Sequence, residues 1–95
     1  MTAFALTKDL EYKARALSLA GDPTRIRILK LLARGKKLRV SRIAKELAMS
    51  IACVSHHLQL LKDNGLVFAQ RSGNSIYYSL KETNTFIKNL ITLIK

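Results

Sequence analysis

The strongest constraint on the fold is a change of hydrophobic period at Gly65. Before it, apolar side chains recur at i, i+4 and i+7, the spacing of one helix face, at Val54, Leu58 and Leu61. Ser50 is a residue type that caps helix starts, and Asn64 with Gly65 is a pair that ends helices. After Gly65 the apolar residues alternate, as in a half-buried strand. The pattern therefore predicts a helix from residue 50 that is followed at once by a β-hairpin.

The helix that starts at Ser50 has an outer face of small or polar side chains. No long acidic side chain occurs in it before Asp63. Short side chains allow a helix backbone to approach base edges in a DNA major groove. We therefore predict that this face contacts DNA through Ser50, Ala52, Cys53, Ser55, His56 and Gln59. Taken alone, the stretch would also fit an ordinary amphipathic surface helix.

Three helical segments come before this one. The first covers residues 7–20, and the second opens with Asp22-Pro23, a capping acceptor and a proline at the first helical position. A basic turn at Lys36-Lys37 follows the second helix. A short third segment then has apolar residues at helical spacing, and Ala48-Met49 forms the turn into the Ser50 helix. Two helices joined by a tight turn, the second with a small polar outer face, indicate a helix-turn-helix.

Two predicted strands, residues 66–71 and 75–80, follow the fourth helix. The residues between them, Ser72-Gly73-Asn74, are typical of a hairpin turn. Arg71 and Asn74 fall near the tip of this hairpin, where we predict DNA contacts. The expected fold class is mainly α with a small β-hairpin, a winged helix-turn-helix of order α-α-α-α-β-β-α. We expect residues 1–95 to form a single domain, with the first and last helices at a dimer interface.

The first and last helices carry more apolar surface than one small domain needs. Residues 83–95 have six large apolar side chains among the last ten, in two adjacent stripes. Such a wide apolar face needs a partner surface. We therefore predict a homodimer whose interface is built from Leu10, Tyr12, Leu17, Phe86, Leu90, Ile91 and Ile94.

The chain is strongly basic. It has 17 Lys and Arg against 6 Asp and Glu, a net charge of +11, and residues 25–45 hold nine basic residues and no acid. Such a field attracts polyanions, and charge alone would also suit RNA or an anionic membrane. Beside a DNA-facing helix we favour phosphate contacts by Lys36, Lys37, Arg42 and Arg71 over a merely solvated face. Arg25 and Arg27 fit either the dimer or the fold.

Several classes of function are disfavoured. No apolar run approaches the roughly 20 residues that span a bilayer, and the N-terminus lacks the order of a secretion signal. The single cysteine excludes a disulfide within the chain. No nucleophile stands with a base and an orienting carboxylate at plausible positions. We expect a cytoplasmic protein that is not an enzyme, has no cofactor and does not bind a membrane.

The chain resembles the ArsR/SmtB family of winged-helix repressors over nearly its whole length. The match is carried by LAGDPTRIRILKLL at residues 19–32, VSHHLQLLKDNGLV at residues 54–67, and the hairpin at residues 71–80. The resemblance implies a homodimer built from the first and last helices, which places two recognition helices in successive major grooves of double-stranded DNA. It also implies an inverted-repeat operator and repression that is relieved when a metal or another signal changes the dimer.

The family's metal ligands do not carry over. A Cys-Val-Cys of the third helix corresponds here to Arg39, Val40 and Ser41, and arginine cannot ligate a metal ion. The positions of the last-helix site hold Glu82 and Asn84 at its start, and Asn89, Thr92 and Lys95 at its end. His56 and His57 are adjacent, so their side chains point about 100° apart on a helix. We predict no metal site, with His56 on the outer face and His57 packed inside.

Three alternatives to a sequence-specific repressor stay open. A nonspecific or architectural nucleic-acid-coating protein would account for the charge. A protein-interaction module would account for the apolar last helix. Cys53, at the start of the recognition helix, could make the repressor redox-responsive, because the helix dipole and nearby basic charge favour the thiolate; the plainer interpretation is a small side chain against DNA.

Overall fold

The computed structural model describes residues 4–94 and confirms the winged helix-turn-helix. Each of the four predicted helices before the hairpin is present, as is the last one. The elements in chain order are α1 (Lys8–Ala20), α2 (Pro23–Gly35), β1 (Lys37–Arg39), α3 (Val40–Leu47), α4 (Ile51–Asp63), β2 (Val67–Ser72), β3 (Ser75–Leu80) and α5 (Thr85–Ile94). The hairpin formed by β2 and β3 is called the wing below.

The helix starts follow the capping residues in the sequence. Thr7 accepts a hydrogen bond through its hydroxyl from the Leu10 amide at 3.1 Å, and the Asp22 carboxylate accepts from the Arg25 amide at 3.0 Å. The Ser50 hydroxyl accepts from the Cys53 amide at 3.1 Å. Each bond satisfies an N–H group that has no partner within its helix, and Asn84 does the same for the last helix, so four of the five helix starts are set by one side chain each.

The sheet has a third strand that the sequence analysis did not predict. β1 pairs antiparallel with β3, so the strand order is β1-β3-β2, and Lys37 lies opposite Ser79. Lys36 and Lys37 were expected to form a turn, but Lys37 is instead the first residue of β1. A three-residue strand has too short a pattern to be visible in the sequence, because it is defined by a partner strand about forty residues away.

The core is formed by one face of every helix and by the inner face of the sheet. Val54, Leu58 and Leu61 of α4 are fully buried together with Ile28 and Leu29 of α2. Leu66 and Val67, which follow Gly65, are also buried, so the hairpin enters the core where it leaves α4. Gly65 has φ of 73°, a left-handed conformation that a glycine adopts without steric cost.

The last helix differs from its prediction at its start and on one face. It begins at Thr85 rather than residue 83, because Asn84 caps it, and the predicted end at Lys95 lies outside the described residues. Leu90, which we assigned to the dimer interface, is only 8% exposed and belongs to the chain's own core. We correct that assignment, since little of its surface remains for a partner.

No helix within residues 4–94 has the length and apolar character needed to cross a membrane.

Candidate nucleic-acid interface

The outer face of α4 is largely exposed to solvent. Ala52, Cys53, His56 and Gln59 are exposed and Ser55 is half-buried. Ser50 is also exposed, although its hydroxyl is occupied by the cap. Gln59 donates a hydrogen bond to the carboxylate of Asp63 at 2.8 Å, so its amide is already oriented along the helix. Five of the six side chains that we predicted to contact DNA are therefore accessible to solvent, and their contact with DNA stays a prediction.

The inner face of α4 packs on α3 and holds the helix-turn-helix angle. Ile43 and Leu47 of α3 are buried in the same core as Val54 and Leu58 of α4. In the turn, Ala48 has φ of 56° and ψ of 46°, the left-handed conformation that usually ends a helix. Its amide donates to carbonyl oxygens of the last turn of α3. The chain therefore reverses tightly and presents α4 outward.

Two arginines of α2 serve the fold. The Arg25 Nε donates to Nδ1 of His57 at 3.1 Å, and its Nη1 donates to the carbonyl of Leu19. Arg27 donates to the Leu47 carbonyl at 3.0 Å, at the end of α3. His57 therefore packs inward with a hydrogen bond, as predicted, while the adjacent His56 points outward.

The end of α4 is tied to α1 and α5 through one side chain that the sequence analysis missed in this role. The Asn84 amide nitrogen donates to the Tyr12 hydroxyl at 2.6 Å and to the Gly65 carbonyl at 2.8 Å. Its oxygen accepts from the Ile87 amide, which caps α5. Asn64 adds a bond from its side chain to the Leu60 carbonyl. An asparagine just before a helix is a capping signal, but nothing in its spacing reveals the contacts with residues 12 and 65.

The wing tip projects Arg71 and Asn74 into solvent. Gly73 has φ of 62°, which fits a two-residue hairpin turn with glycine at its first position. Arg71 lies opposite Ile76, on the same sheet face as the core residues Val67 and Leu80 but beyond the core. Its side chain is therefore on the helix-facing side of the wing, near its free end.

The other predicted phosphate contacts are placed differently. Arg42 is exposed on α3 and forms an ion pair with Glu46 at 3.2 Å. Lys36 and Lys37 lie at the base of the wing, where both line a cavity with Phe68 of β2. These two lysines are thus separated from the wing tip by the length of β3.

Apart from the buried Leu90, the predicted dimer residues fall into two groups. Leu10 and Leu17 of α1 are 47% and 60% exposed, and Leu93 of α5, which lay on a predicted stripe but was not selected, is 80% exposed. The half-buried members are Tyr12, Phe86, Ile91 and Ile94. An exposed leucine row on α1 therefore accompanies one exposed leucine near the end of α5.

Charge around the site is only partly compensated. Within residues 4–94 the ion pairs are Lys13 with Asp9 and Arg42 with Glu46, both on the surface. The pKa of Asp22 lies below its ordinary value, mainly because its carboxylate accepts the Arg25 amide hydrogen, with a further contribution from the nearby Arg25 charge. Across the same residues, no three His, Cys, Asp or Glu side chains lie close enough to hold a metal ion.

Comparisons with known sequences agree with one another, because each relative that follows is a regulator. Residues 22–68 match the model for bacterial regulatory proteins of the arsR family. The chain is 37% identical over 84 residues to an uncharacterized HTH-type transcriptional regulator from Methanocaldococcus jannaschii, covering 88% of this chain and 92% of that protein. It spans 58%, 53% and 63% of the length of three further regulators that it matches.

Solved structures agree in fold. The transcriptional repressor PagR of Bacillus anthracis superimposes with a TM-score of 0.81 at 30% identity, covering 92% of this chain and 97% of that one. A homodimeric winged helix-turn-helix DNA-binding domain from Mycobacterium bovis gives a TM-score of 0.79 at 32% identity, covering 99% of this chain and 86% of that one.

Proposed function

Since this chain belongs to the arsR family of bacterial regulatory proteins, we propose that it is a homodimeric, sequence-specific transcriptional repressor. The protein acts in the cytoplasm. It binds an inverted-repeat DNA operator, with one α4 helix in each of two successive major grooves. The observation that carries the proposal is the asymmetry of α4, whose inner residues are fully buried while its outer face is small, polar and exposed. Such a helix can approach base edges without losing its own packing.

In this assignment Ser55 and His56 contact bases, while Arg42 and Arg71 contact phosphates. Ser55 and His56 are central on the outer face, next to the small residues Ala52 and Cys53 that let the helix lie deep in the groove. Arg42 on α3 and Arg71 on the wing lie at the edges of this surface, where the DNA backbone passes. Asn74 at the wing tip and Gln59, farther along α4, lie at its margins. We do not extend the phosphate role to Lys36 and Lys37, because they lie at the base of the wing.

The test is a set of single alanine variants titrated on operator and random duplexes at several salt concentrations. Loss of a base contact at Ser55 or His56 should cost about 1–3 kcal/mol on the operator and little on random DNA. Loss of a phosphate contact at Arg42 or Arg71 should weaken both duplexes and flatten the slope of log K against log salt by about 0.9. If Ser55→Ala and His56→Ala weaken both duplexes equally, α4 does not determine sequence.

The dimer is proposed to form through the exposed leucines of α1 and α5. The molecule is elongated, with extents of 52 × 26 × 24 Å, and Leu10 and Leu17 are two helical turns apart on the same side of α1. Half-sites about 34–36 Å apart can be bound together only if the two α4 helices are held at that spacing. Leu17→Asp combined with Leu93→Asp should give a monomer by sedimentation and abolish tight operator binding. Ser18→Asp, also exposed on α1, is the control and should remain dimeric.

Release from DNA is proposed not to use the family's metal positions. Arg39, Ser41, Glu82 and Asn84 occupy those positions, and Asn84 is already bonded to Tyr12 and Gly65. Zinc, cadmium or arsenite should therefore leave the operator affinity unchanged in a fluorescence anisotropy titration. Stoichiometric binding of any of these ions with loss of DNA affinity would refute this part of the proposal.

A nonspecific coating protein is the competing function, and the net charge of +11 favours it. The two functions differ in the ratio of operator to random-DNA affinity. A repressor is expected to show a ratio of roughly 10³–10⁷ at physiological salt. A coating protein would bind all duplexes alike, with the same salt dependence. The ratio, measured on the inverted repeat nearest the gene, decides between them.

A further inference from the structure

An open cavity of about 600 Å³ lies at the base of the wing, away from the outer face of α4. Its walls come from the end of α2, the outer face of the sheet, and the segment that links β3 to α5. Leu32, Ala33 and Leu80 form part of its apolar lining. This volume falls within the range of small-molecule sites in proteins, roughly 300–1,000 Å³.

On the sheet side of the cavity, a small side chain stands between two large ones. Phe68 of β2, Ser79 of β3 and Lys37 of β1 are aligned across the sheet in one row. Residues paired across antiparallel strands project on the same face, so the serine leaves a depression between the phenylalanine and the lysine. Phe68 is 44% exposed, and its ring is thus available along one side of this depression.

The rim of the cavity is positively charged. Lys36, Lys37 and Lys81 line it, against one acidic residue, Glu82. Within residues 4–94 none of these three lysines forms an ion pair with a carboxylate. The Lys37 ammonium lies 5.6 Å from the centre of the Tyr77 ring, a cation–π contact that supplies no opposite charge. An apolar wall beside several free ammonium groups is complementary to a molecule with an apolar body and an anionic head.

The backbone at the rim is held in a conformation that its residue does not favour. Lys36 has φ of 67° and ψ of −70°, outside the regions that lysine ordinarily adopts. The glycine that would relieve this strain is one position earlier, at Gly35, where a Cβ would come within 2.8 Å of the Leu38 side chain. Strained residues of this kind concentrate at ligand sites, and Lys36 lines this rim.

We propose that this cavity binds a small aromatic carboxylate. The ring lies against Phe68 over Ser79, and the carboxylate is held by Lys36 and Lys81, with Lys37 adding to the positive field. The site is separate from the DNA contacts. Ser79 is four residues from Ser75 at the wing tip, about 13 Å along an extended strand. Because of this separation, the protein can hold an organic anion and DNA at the same time.

The experiment titrates the intact chain with 2-naphthoate and follows the ligand's own fluorescence. Two matched probes separate the contribution of the aromatic rings from that of the negative charge. 2-Naphthamide keeps the rings without the charge, and acetate keeps the charge without the rings. We expect saturable one-site binding of 2-naphthoate, about tenfold weaker binding of the amide, and no saturation by acetate. Lys36→Gln with Lys81→Gln, and separately Phe68→Ala, should each weaken 2-naphthoate binding by about tenfold.

The controls use exposed residues outside the cavity. Lys8→Gln matches the lysine change, and Ile76→Ala, on the opposite face of the same sheet, matches Phe68→Ala; neither should alter the affinity. Unchanged circular dichroism shows that each variant is folded. The proposal is overturned if 2-naphthoate does not saturate, if 2-naphthamide binds equally well, or if the control variants weaken binding as much. It is also overturned if Lys36→Gln with Lys81→Gln flattens the salt dependence of DNA binding by about 0.9 per lysine, because the lysines would then be phosphate contacts.

Discussion

The two ends of helix α4 are built in opposite ways. At its start, the Ser50 hydroxyl caps the helix by accepting a hydrogen bond from the Cys53 amide. The residues that follow on the outer face are largely exposed to solvent. At its end, Asn84 connects Gly65 with Tyr12, and Leu66 continues directly into the core. One end is thus free on the side that we assign to DNA, and the other is fastened to the two helices that we assign to the dimer.

This difference separates two tasks within thirteen residues. A surface that contacts bases needs short side chains and polar groups that are exposed to solvent. The orientation of that surface must nevertheless be fixed relative to the partner subunit, because two half-sites are bound together. Placing the hydrogen bonds at the far end of the helix satisfies the second requirement without using groups needed for the first.

Core truncation should give the largest contrast between the inner and outer sides of α4. Leu61→Ala removes a fully buried side chain and should destabilise the protein by about 2–5 kcal/mol. Ile51→Ala removes a side chain that is 53% exposed, and its effect should be within about 0.5 kcal/mol. Urea unfolding followed by circular dichroism measures both. Similar losses from the two variants would show that the first turn of α4 is packed rather than free.

Removing the donors of Asn84 should have the next largest effect. Asn84→Asp keeps the oxygen that accepts from the Ile87 amide, but it loses the N–H groups that bond Tyr12 and Gly65. The Gly65 carbonyl would then face a carboxylate without a donor, at a cost of about 1–3 kcal/mol. Operator affinity should fall with it. Asn89→Asp, exposed on α5, introduces the same charge and serves as the control; equal effects would attribute the loss to charge alone.

Removing the cap at the free end should have a smaller effect. Ser50→Ala leaves the Cys53 amide without its acceptor and should cost about 1 kcal/mol of stability. Thermal unfolding measures this loss. Ser50→Asp restores an acceptor and should recover the stability, although its charge should weaken DNA binding. An alanine variant as stable as the parent would show that water replaces the cap.

The smallest effect is expected at the start of α2, beneath α4. The pKa of Asp22 is lowered chiefly by the hydrogen bond from the Arg25 amide, so its folded-state pKa lies below the ordinary value of 3.8. The carboxylate therefore stabilises the fold above that pH, and this contribution is lost as the pH falls below it. Asn retains a capping oxygen without the charge. Asp22→Asn should lower the melting temperature slightly at pH 7, and the difference from the parent should shrink as the pH falls below 3.8 and through the lowered pKa.

The free end of α4 could be predicted from the sequence, and the fastened end only in part. Ser50 as a cap and Gly65 as a helix end follow from local residue preferences, and the buried stripe follows from helical spacing. The bond from Asn84 to Gly65 joins residues 19 positions apart, and the bond to Tyr12 joins residues 72 positions apart. No local pattern encodes such pairings, because they depend on how the helices pack.

The same limit explains the error at Leu90. Helical spacing showed that α5 carries six large apolar side chains, but not which of them would be covered by the rest of the chain, and Leu90 and Leu93 lie on the same predicted stripe. Packing buries Leu90 and leaves Leu93 on the surface. Strand β1 was missed for a related reason, since its three residues are ordered by Tyr77, Tyr78 and Ser79 of β3. Lys36 was placed in a turn, but its positive φ could not be anticipated because lysine rarely adopts it.

The small exposed side chains on the outer face of α4 also bear on how such a regulator can change over generations. Substitutions at Ala52, Cys53 or Ser55 leave the inner stripe of the helix intact, because those positions contribute little to the core. Surface changes of this kind usually alter stability by less than about 0.5 kcal/mol. New operator preferences can therefore be sampled one mutation at a time while the fold persists. Divergence among descendants of this chain should consequently concentrate on these positions, and Asn84 and Gly65 should be retained.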